Sequence, residues 1–199
     1  MSRVEAAARH IAQHLGALDK SGAVIGGIAV SARCAPRFTR DLDLAIAVAD
    51  DAEAEALIFA LQNGGYRIHA TLENTAHRRL ATVRLESLGE EAHGVVVDLL
   101  FASSGIEAEI VAEAEPLEIF SGITLPVARV GHLLALKILA RDDRRRPQDL
   151  VDIRSLVAVA TEEEIARARN AVRLIQQRGF SRGRDLRRRL AAALRDREG

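Results

Sequence analysis

The sequence predicts an α/β (α+β) fold, in which a sheet flanked by helices is followed by a bundle of helices. Three observations lead to this prediction. Short apolar runs alternate with helical patterns through residues 1–126, only helical patterns follow through residues 127–199, and 48% of the 199 residues are hydrophobic. A chain of this length buries enough surface to fold without a disulfide or a structural metal. We therefore expect two domains, 1–126 and 127–199.

The elements of the first 126 residues follow from periodicity. Val4, Ala8, Ile11 and Leu15 recur every three or four positions, which predicts an amphipathic N-terminal helix. In chain order, the prediction is a helix over 2–18, a turn over 19–22, a strand over 23–25, a helix over 28–34, a strand over 42–48, a helix over 50–62, strands over 66–70, 79–85 and 93–101, a short helix over 106–114, and a hairpin of 117–120 and 123–127.

Turn and cap residues set the limits of these elements. Gly26-Gly27 ends the first strand, and Asp50 or Asp51 caps the helix that Gly64-Gly65 ends. Alternation predicts the strand over 79–85, and Ser121-Gly122 is a typical hairpin turn.

Residues 127–199 contain only helical patterns. Pro147 is a typical first-turn residue, and Thr161 with Glu164 three positions later has the pattern of a capping box. The predicted helices span 130–140, 148–158, a segment that begins after Thr161, and 185–197.

The formal net charge of zero is the sum of two opposite halves. Residues 1–126 carry 10 Lys or Arg and 18 Asp or Glu, a net charge of −8, whereas residues 127–199 carry 18 and 10, a net charge of +8. This asymmetry indicates either a nucleic-acid or acidic partner, or mutual neutralisation of the halves. Only Lys20 and Lys137 are lysines, so Lys137 is a candidate for a site that needs a compact ammonium group.

Several classes of protein are excluded by composition. Cys34 is the only cysteine, so the chain has no disulfide framework and no cysteine-based zinc site. The N-terminal segment has the pattern of an amphipathic helix rather than of a signal peptide, and no apolar run approaches the roughly 20 residues of a membrane span. We expect a cytoplasmic protein that does not bind membranes.

Three carboxylates are the main candidates for chemistry. Asp41 and Asp43 alternate along a predicted strand, so both side chains point to one face. Asp98 interrupts the apolar run Val95–Phe101, where a charge is costly unless it is paired or bound to metal. Hard oxygen ligands favour Mg²⁺. If the two strands are neighbours, the three carboxylates can hold two metal ions about 4 Å apart, an arrangement that catalyses phosphoryl transfer.

Gly26 and Gly27 complement these carboxylates. Two glycines between a strand and a helix allow the backbone to approach a ligand closely, and the helix N-terminus then offers N–H groups to phosphate oxygens. The chain contains neither the GxGxxG motif of dinucleotide-binding folds nor the GxxxxGK[ST] motif of P-loop proteins.

Together, Gly26-Gly27, the segment 37–43 and Asp98 resemble the DNA polymerase beta-type nucleotidyltransferase superfamily. The stretches 133–141 and 148–153 are similar to the nucleotidyltransferase-like toxins of bacterial abortive-infection systems, the AbiEii type. The resemblance covers roughly residues 25–153. It implies a nucleotidyltransferase core with a mixed sheet, and Mg²⁺-dependent transfer of a nucleotide from an NTP to an acceptor hydroxyl with release of pyrophosphate.

The resemblance also implies roles for the matched acidic residues. Asp41 and Asp43 would bind the metal that carries the triphosphate of the NTP. Asp98 would complete a second metal site or accept the proton of the attacking hydroxyl, and Asp149 would be a further polar or catalytic residue.

The implied nucleotide contacts come from the glycine turn, the residues beside the Asp pair and the C-terminal half. Thr39 and Arg40 either touch the substrate or only solvate the start of a strand. The candidate nucleotide-binding residues are Gly26, Gly27, Thr39, Arg40 and Lys137.

By resemblance, the acceptor is tRNA, and the setting is a toxin–antitoxin pair with an antitoxin protein as partner. The basic C-terminal half offers contacts for an RNA backbone, or a solvated surface, at Arg144–Arg146, Arg178, Arg182, Arg184 and Arg187–Arg189. The absence of Trp and the single Tyr make recognition by base stacking unfavourable. Two alternatives stay open: an antibiotic-type nucleotidyltransferase with a small-molecule acceptor, and a non-catalytic nucleotide- or partner-binding module on the same fold.

Overall fold

A seven-stranded sheet organises the protein in the computed structural model, which describes residues 2–37, 39–142 and 144–195. The strands are β1 (Gly22–Ile25), β2 (Leu42–Ile46), β3 (Tyr66–Asn74), β4 (Arg79–Ser87), β5 (Val96–Leu100), β6 (Glu115–Phe120) and β7 (Ile123–Val127). They are arranged in the order β3-β4-β5-β2-β1-β7-β6.

The sheet is mixed, as the family resemblance implies. Strand β2 runs antiparallel to β1 and parallel to β5, and β1 runs parallel to β7. The short apolar runs form the centre of the sheet, where Val24, Leu42 and Leu99 are fully buried. The strands that carry Asp43 and Asp98 are therefore neighbours at the centre of the fold.

In the described part of the chain, eight α-helices cover the sheet and form the C-terminal bundle. Helices α1 and α4 pack on the central strands, α3 contacts β3 and β4, and α5 packs against α2 and the three helices that follow it. The helices are α1 (Arg3–Ala17), α2 (Gly26–Arg33), α3 (Asp51–Asn63), α4 (Glu107–Ala112), α5 (Val130–Ala140), α6 (Pro147–Val159), α7 (Glu162–Gln177) and α8 (Leu186–Arg195).

The α/β fold class is confirmed, and the differences concern element ends. Helix α2 begins at Gly26 rather than at residue 28, and a short 3-10 helix, Glu90–Ala92, is not predicted. Strand β3 extends to Asn74, beyond the predicted 66–70, because pairing with β4 supports a segment whose side chains are exposed on both faces. The predicted end of the last helix, 197, lies outside the described residues.

The division into two domains stays a prediction. The two segments, 1–126 and 127–199, share one hydrophobic core. Buried residues on both sides of position 126 form a single cluster. Ion pairs also cross this boundary: Arg129 pairs with Glu115, and Arg167 pairs with Glu113. Within the described residues, no helix combines the length and the apolar character that a membrane crossing requires.

Helix α5 contacts the backbone of α7 at Gly131. The backbone N–H of Gly131 donates to the Glu164 carboxylate over 2.6 Å, and a Cβ atom at position 131 would lie 2.4 Å from the Glu164 carbonyl oxygen. Glu164 also pairs with Arg129 and Arg167. The glycine is therefore required by backbone packing, and this contact joins α5 and α7 within the bundle.

We expect Gly131→Ala to lower the free energy of unfolding by about 1–3 kcal/mol, because the added methyl group meets backbone that cannot move away. This loss outweighs the roughly 1 kcal/mol by which alanine is favoured over glycine in helices. Gly16→Ala in α1 is the matched control, since no atom lies within 4 Å of its added Cβ. Chemical denaturation measures both variants, and equal stabilities would contradict the packing argument.

Candidate functional site

One cleft collects most of the residues that the sequence singles out. It has a volume of about 520 Å³ and is open to solvent between the central strands, the start of α2 and α5. This size is typical of small-molecule sites. The predicted residues that line it are Gly26, Gly27, Thr39, Asp41, Asp43, Asp98 and Lys137.

Asp41, Asp43 and Asp98 form the acidic side of the cleft. Asp43 on β2 and Asp98 on β5 are register partners on parallel strands, so their carboxylates leave the sheet on the same face. Asp41 is exposed just before β2, whereas Asp98 is only 8% exposed. Burial, and then repulsion by the Asp98 carboxylate, raise the pKa of Asp43 to about 6. The site therefore favours a cation beside Asp43.

Gly26 allows the backbone to contact the Asp43 carboxylate. Its φ of +64° lies in the left-handed region, and a Cβ atom at this position would lie 1.9 Å from Asp43 Oδ2. Only glycine fits there. A Cβ atom at Gly27 would lie 2.8 Å from Arg37 Nη2 and 2.9 Å from Thr39 Oγ1, so the segment before Asp41 packs directly on the glycine turn.

The N-terminus of α2 opens into the same cleft. Its N-cap residue, Ile25, provides no side-chain hydrogen bond to the first turn. The first backbone N–H groups of a helix have no partner within the helix, and they bind phosphate oxygens well. The glycine turn and the helix start thus present free N–H groups on one side of the cleft, where an anion could bind, opposite the Asp residues.

Lys137 is held on α5 by two carboxylates of α6. Its Nζ atom lies 3.0 Å from Asp149 Oδ1 and 2.7 Å from Asp152 Oδ2, and all three residues are at most 8% exposed. Burial alone would raise the pKa of Asp152, but hydrogen bonds from Lys137 and from Arg37 hold it below its usual value. Asp149, which the sequence suggests as a catalytic residue, does not line the cleft. It lies behind Lys137 and orients the ammonium group.

Two arginines that line the cleft, Arg37 and Arg84, and Asp152 behind it are not among the predicted site residues. Asp152 follows Asp149 by three positions on one helical face, and Arg84 alternates with Leu85 along β4. Periodicity gives these faces, but not the residues that they contact. Arg40, by contrast, is exposed and does not line the cleft. The arginines that line the cleft are Arg37, Arg84, Arg146 and Arg182.

The carboxylates fit one divalent cation better than two. Asp41 and Asp43 offer hard oxygen ligands with room for water and phosphate, which Mg²⁺ prefers. Asp98 accepts hydrogen bonds from Arg84 at both oxygens. In the part of the chain that the structure describes, no three His, Cys, Asp or Glu side chains are grouped to hold a metal ion. The pair Asp41 and Asp43 is therefore the candidate metal centre.

Known proteins resemble the chain in family and in fold. Residues 13–198 match the family model described as "Nucleotidyl transferase AbiEii toxin, Type IV TA system". No curated protein matches the chain. An antigenic nucleotidyltransferase-like protein from Paracoccidioides brasiliensis has a similar structure, with a TM-score of 0.53 and 20% identity over 93% of this chain and 88% of that one. The antibiotic-resistance factor ANT(2'')-Ia has a TM-score of 0.50 and 20% identity over 100% of this chain and 95% of that one.

We expect Asp43→Asn to stabilise the metal-free protein by up to about 3 kcal/mol at pH 8. Because the pKa of Asp43 is raised to about 6, the native state binds this proton more tightly than the unfolded state does. The free energy of unfolding of the natural chain therefore falls as the pH rises from about 4 to 6, and the advantage of the variant should fade below pH 6.

Denaturation in EDTA between pH 4.5 and 8 measures this difference. Asp41→Asn is the control, because Asp41 is exposed in the same motif and its replacement should change stability little. An advantage of Asp43→Asn that is independent of pH would refute the electrostatic explanation.

Proposed function

The chain belongs to the AbiEii nucleotidyltransferase toxin family, and on this basis we propose that it transfers a nucleotide from a Mg²⁺-bound NTP to a hydroxyl group of tRNA. Pyrophosphate is the second product. The observation that carries the proposal is the meeting, in one cleft, of an Asp pair, an uncapped helix N-terminus and a buried lysine.

Asp41 and Asp43 would hold the Mg²⁺ ion in this proposal. The ion would supply positive charge to the triphosphate and lower the cost of placing it beside carboxylates. The raised pKa of Asp43 supports this assignment, because a carboxylate that resists ionisation gains most from a bound cation.

The backbone N–H groups at the start of α2 and the Lys137 ammonium group would bind the phosphates. Lys137 lines the cleft while Asp149 and Asp152 fix its position, so little side-chain entropy is lost when it meets a phosphate. Catalysis by such a site consists mainly of positioning and charge neutralisation.

Basic residues beside the cleft support an RNA acceptor. Arg146 and Arg182 line the cleft itself. Their chain neighbours Arg144 and Arg184 line an adjoining pocket of about 500 Å³, together with Arg141, Asp142 and Arg189. Within the described residues, no carboxylate forms an ion pair with Arg144, Arg184 or Arg189, so their charge is available to phosphates.

The structure separates the basic C-terminal residues into two surfaces. Arg184 and Arg189 face the pocket beside the cleft, whereas Arg187 lines a groove between α7 and α8 with Arg169, Arg173 and Arg195. We propose that the first surface holds the RNA. The family's toxin–antitoxin setting further supports an antitoxin protein as a partner in a bacterial cytoplasm.

Labelled NTPs, total tRNA and Mg²⁺ test the proposed activity. We expect label on tRNA with the natural chain, and a loss of at least about a hundredfold with Asp41→Asn or Lys137→Met, because each removes a charge that the phosphates require. Arg67→Gln is a control outside the cleft. Transfer to an aminoglycoside but not to RNA would replace the proposed acceptor, and NTP binding without any transfer would refute the enzymatic function.

We expect Arg184→Gln/Arg189→Gln to weaken tRNA binding about tenfold at low salt and to reduce the salt dependence of binding by one to two counterions. Glutamine keeps a donor for the carbonyl oxygens of Leu139 and Arg141 that these arginines contact. Arg173→Gln/Arg187→Gln removes the same charge from the α7–α8 groove and is the matched control. Filter binding at several salt concentrations measures both, and an equal loss in the two variants would contradict a specific surface.

A further inference from the structure

Arg84 forms a bidentate ion pair with Asp98, a residue that the sequence assigns to metal binding. The two are register partners on β4 and β5, so their side chains lie side by side on the cleft face of the sheet. Arg84 Nε donates to Asp98 Oδ1 over 2.8 Å, and Nη2 donates to Oδ2 over 2.7 Å. Parallel double hydrogen bonds of this kind are among the strongest contacts of a carboxylate.

The other ion-paired arginines of the β3–β4 hairpin do not line the cleft. Arg67 pairs with Glu86, and Arg79 pairs with Asp51. The guanidinium of Arg84 lines the cleft, with its side chain 44% exposed. Its hydrogen bonds to Asp98, together with the charges of Asp41 and Asp43, raise its pKa further above an already high value. One guanidinium therefore offsets part of the charge of all three carboxylates.

A second metal ion at Asp98 conflicts with this arrangement. It would have to displace a guanidinium that engages both oxygens of Asp98, or share the carboxylate with a positive charge a few ångströms away. The repulsion between a divalent ion and a guanidinium at that distance is large in a partly buried site. A second metal ion requires a free carboxylate oxygen on Asp98, whereas both oxygens accept hydrogen bonds from Arg84.

We propose that Arg84 takes the place of a second metal ion, so that the cleft binds one divalent cation at Asp41 and Asp43. Arg84 is a positioning residue: it acts through Asp98, which its two hydrogen bonds hold oriented at the cleft. The inference rests on the proposed function, because it assumes that Asp41 and Asp43 bind a cation together with the NTP. It replaces the expectation that Asp98 is a metal ligand.

The number of bound metal ions tests this proposal without measuring activity. Mn²⁺ is titrated into the metal-free protein with a non-hydrolysable NTP analogue, and free Mn²⁺ is followed by electron paramagnetic resonance. We expect one ion in each complex of the natural chain with the analogue, namely the ion that carries the triphosphate, and a second for Arg84→Gln. Arg84→Lys keeps a positively charged side chain and should bind one Mn²⁺ ion. Arg84→Gln/Asp98→Asn should lose the second Mn²⁺ ion, because it lacks the Asp98 carboxylate.

Arg67→Gln is the matched control, because it removes an arginine of the same hairpin that pairs with Glu86 outside the cleft. It should bind one ion. Two ions in the complex of the natural chain would overturn the role of Arg84 while leaving the proposed transferase intact. If the protein does not bind Mn²⁺ more tightly than the analogue alone does, the proposed function and this inference are both overturned.

If Arg84→Gln does not fold, the natural chain and Arg84→Lys decide the question. One ion on each supports the proposal, and two on either overturns it. If Arg84→Gln folds and still binds only one ion, Asp98 is not made available by removal of the guanidinium, and the proposal is wrong.

Discussion

The close approach of Asp43 and Asp98 is the constraint on which the site depends. The two carboxylates are opposite each other on neighbouring parallel strands, where the core fixes their positions and neither can move away. Their repulsion, added to burial, is visible in the raised pKa of Asp43. Two neighbours make the pair of carboxylates tolerable. Gly26, which has no side chain, leaves room for the Asp43 carboxylate, and the Arg84 guanidinium donates hydrogen bonds to Asp98.

Lys137, from the C-terminal half of the chain, partly offsets the negative charge of the same carboxylates. Its charge lowers the pKa of Asp43, yet it is itself held by Asp149 and Asp152. Removal of one member of such a buried network would leave an uncompensated charge, which is far more costly than the loss of a surface pair. A compact ammonium group can lie about 3 Å from two carboxylates at once, which explains why lysine is retained in a chain with 26 arginines.

The sequence predicts the fold and singles out the three Asp residues that the structure brings together in one cleft, because both depend on local patterns. Period-two and period-3.6 patterns locate the strands and helices, and Asp43 stands out because it interrupts an apolar run. The partners of these residues could not be found in this way. Which cation meets Asp98 depends on the register of β4 with β5, and whether Asp149 faces the substrate or Lys137 depends on how α6 packs on α5. Both are long-range facts that the periodicity of a single segment does not contain.

Mutual neutralisation explains part of the opposite charges of the two halves, and a surface for an acidic partner explains another part. Arg129, Arg167 and Arg178 of the basic half pair with Glu115, Glu113 and Glu109 of the acidic half, so mutual neutralisation accounts for the contact between them. The arginines beside the cleft mouth are different, because Arg184 and Arg189 donate to backbone carbonyl oxygens rather than to carboxylates. A backbone carbonyl fixes a guanidinium without cancelling its charge. The residual positive charge is thus concentrated beside the cleft, which the proposed function assigns to the triphosphate and a polyanionic acceptor, and the formal net charge of zero conceals it.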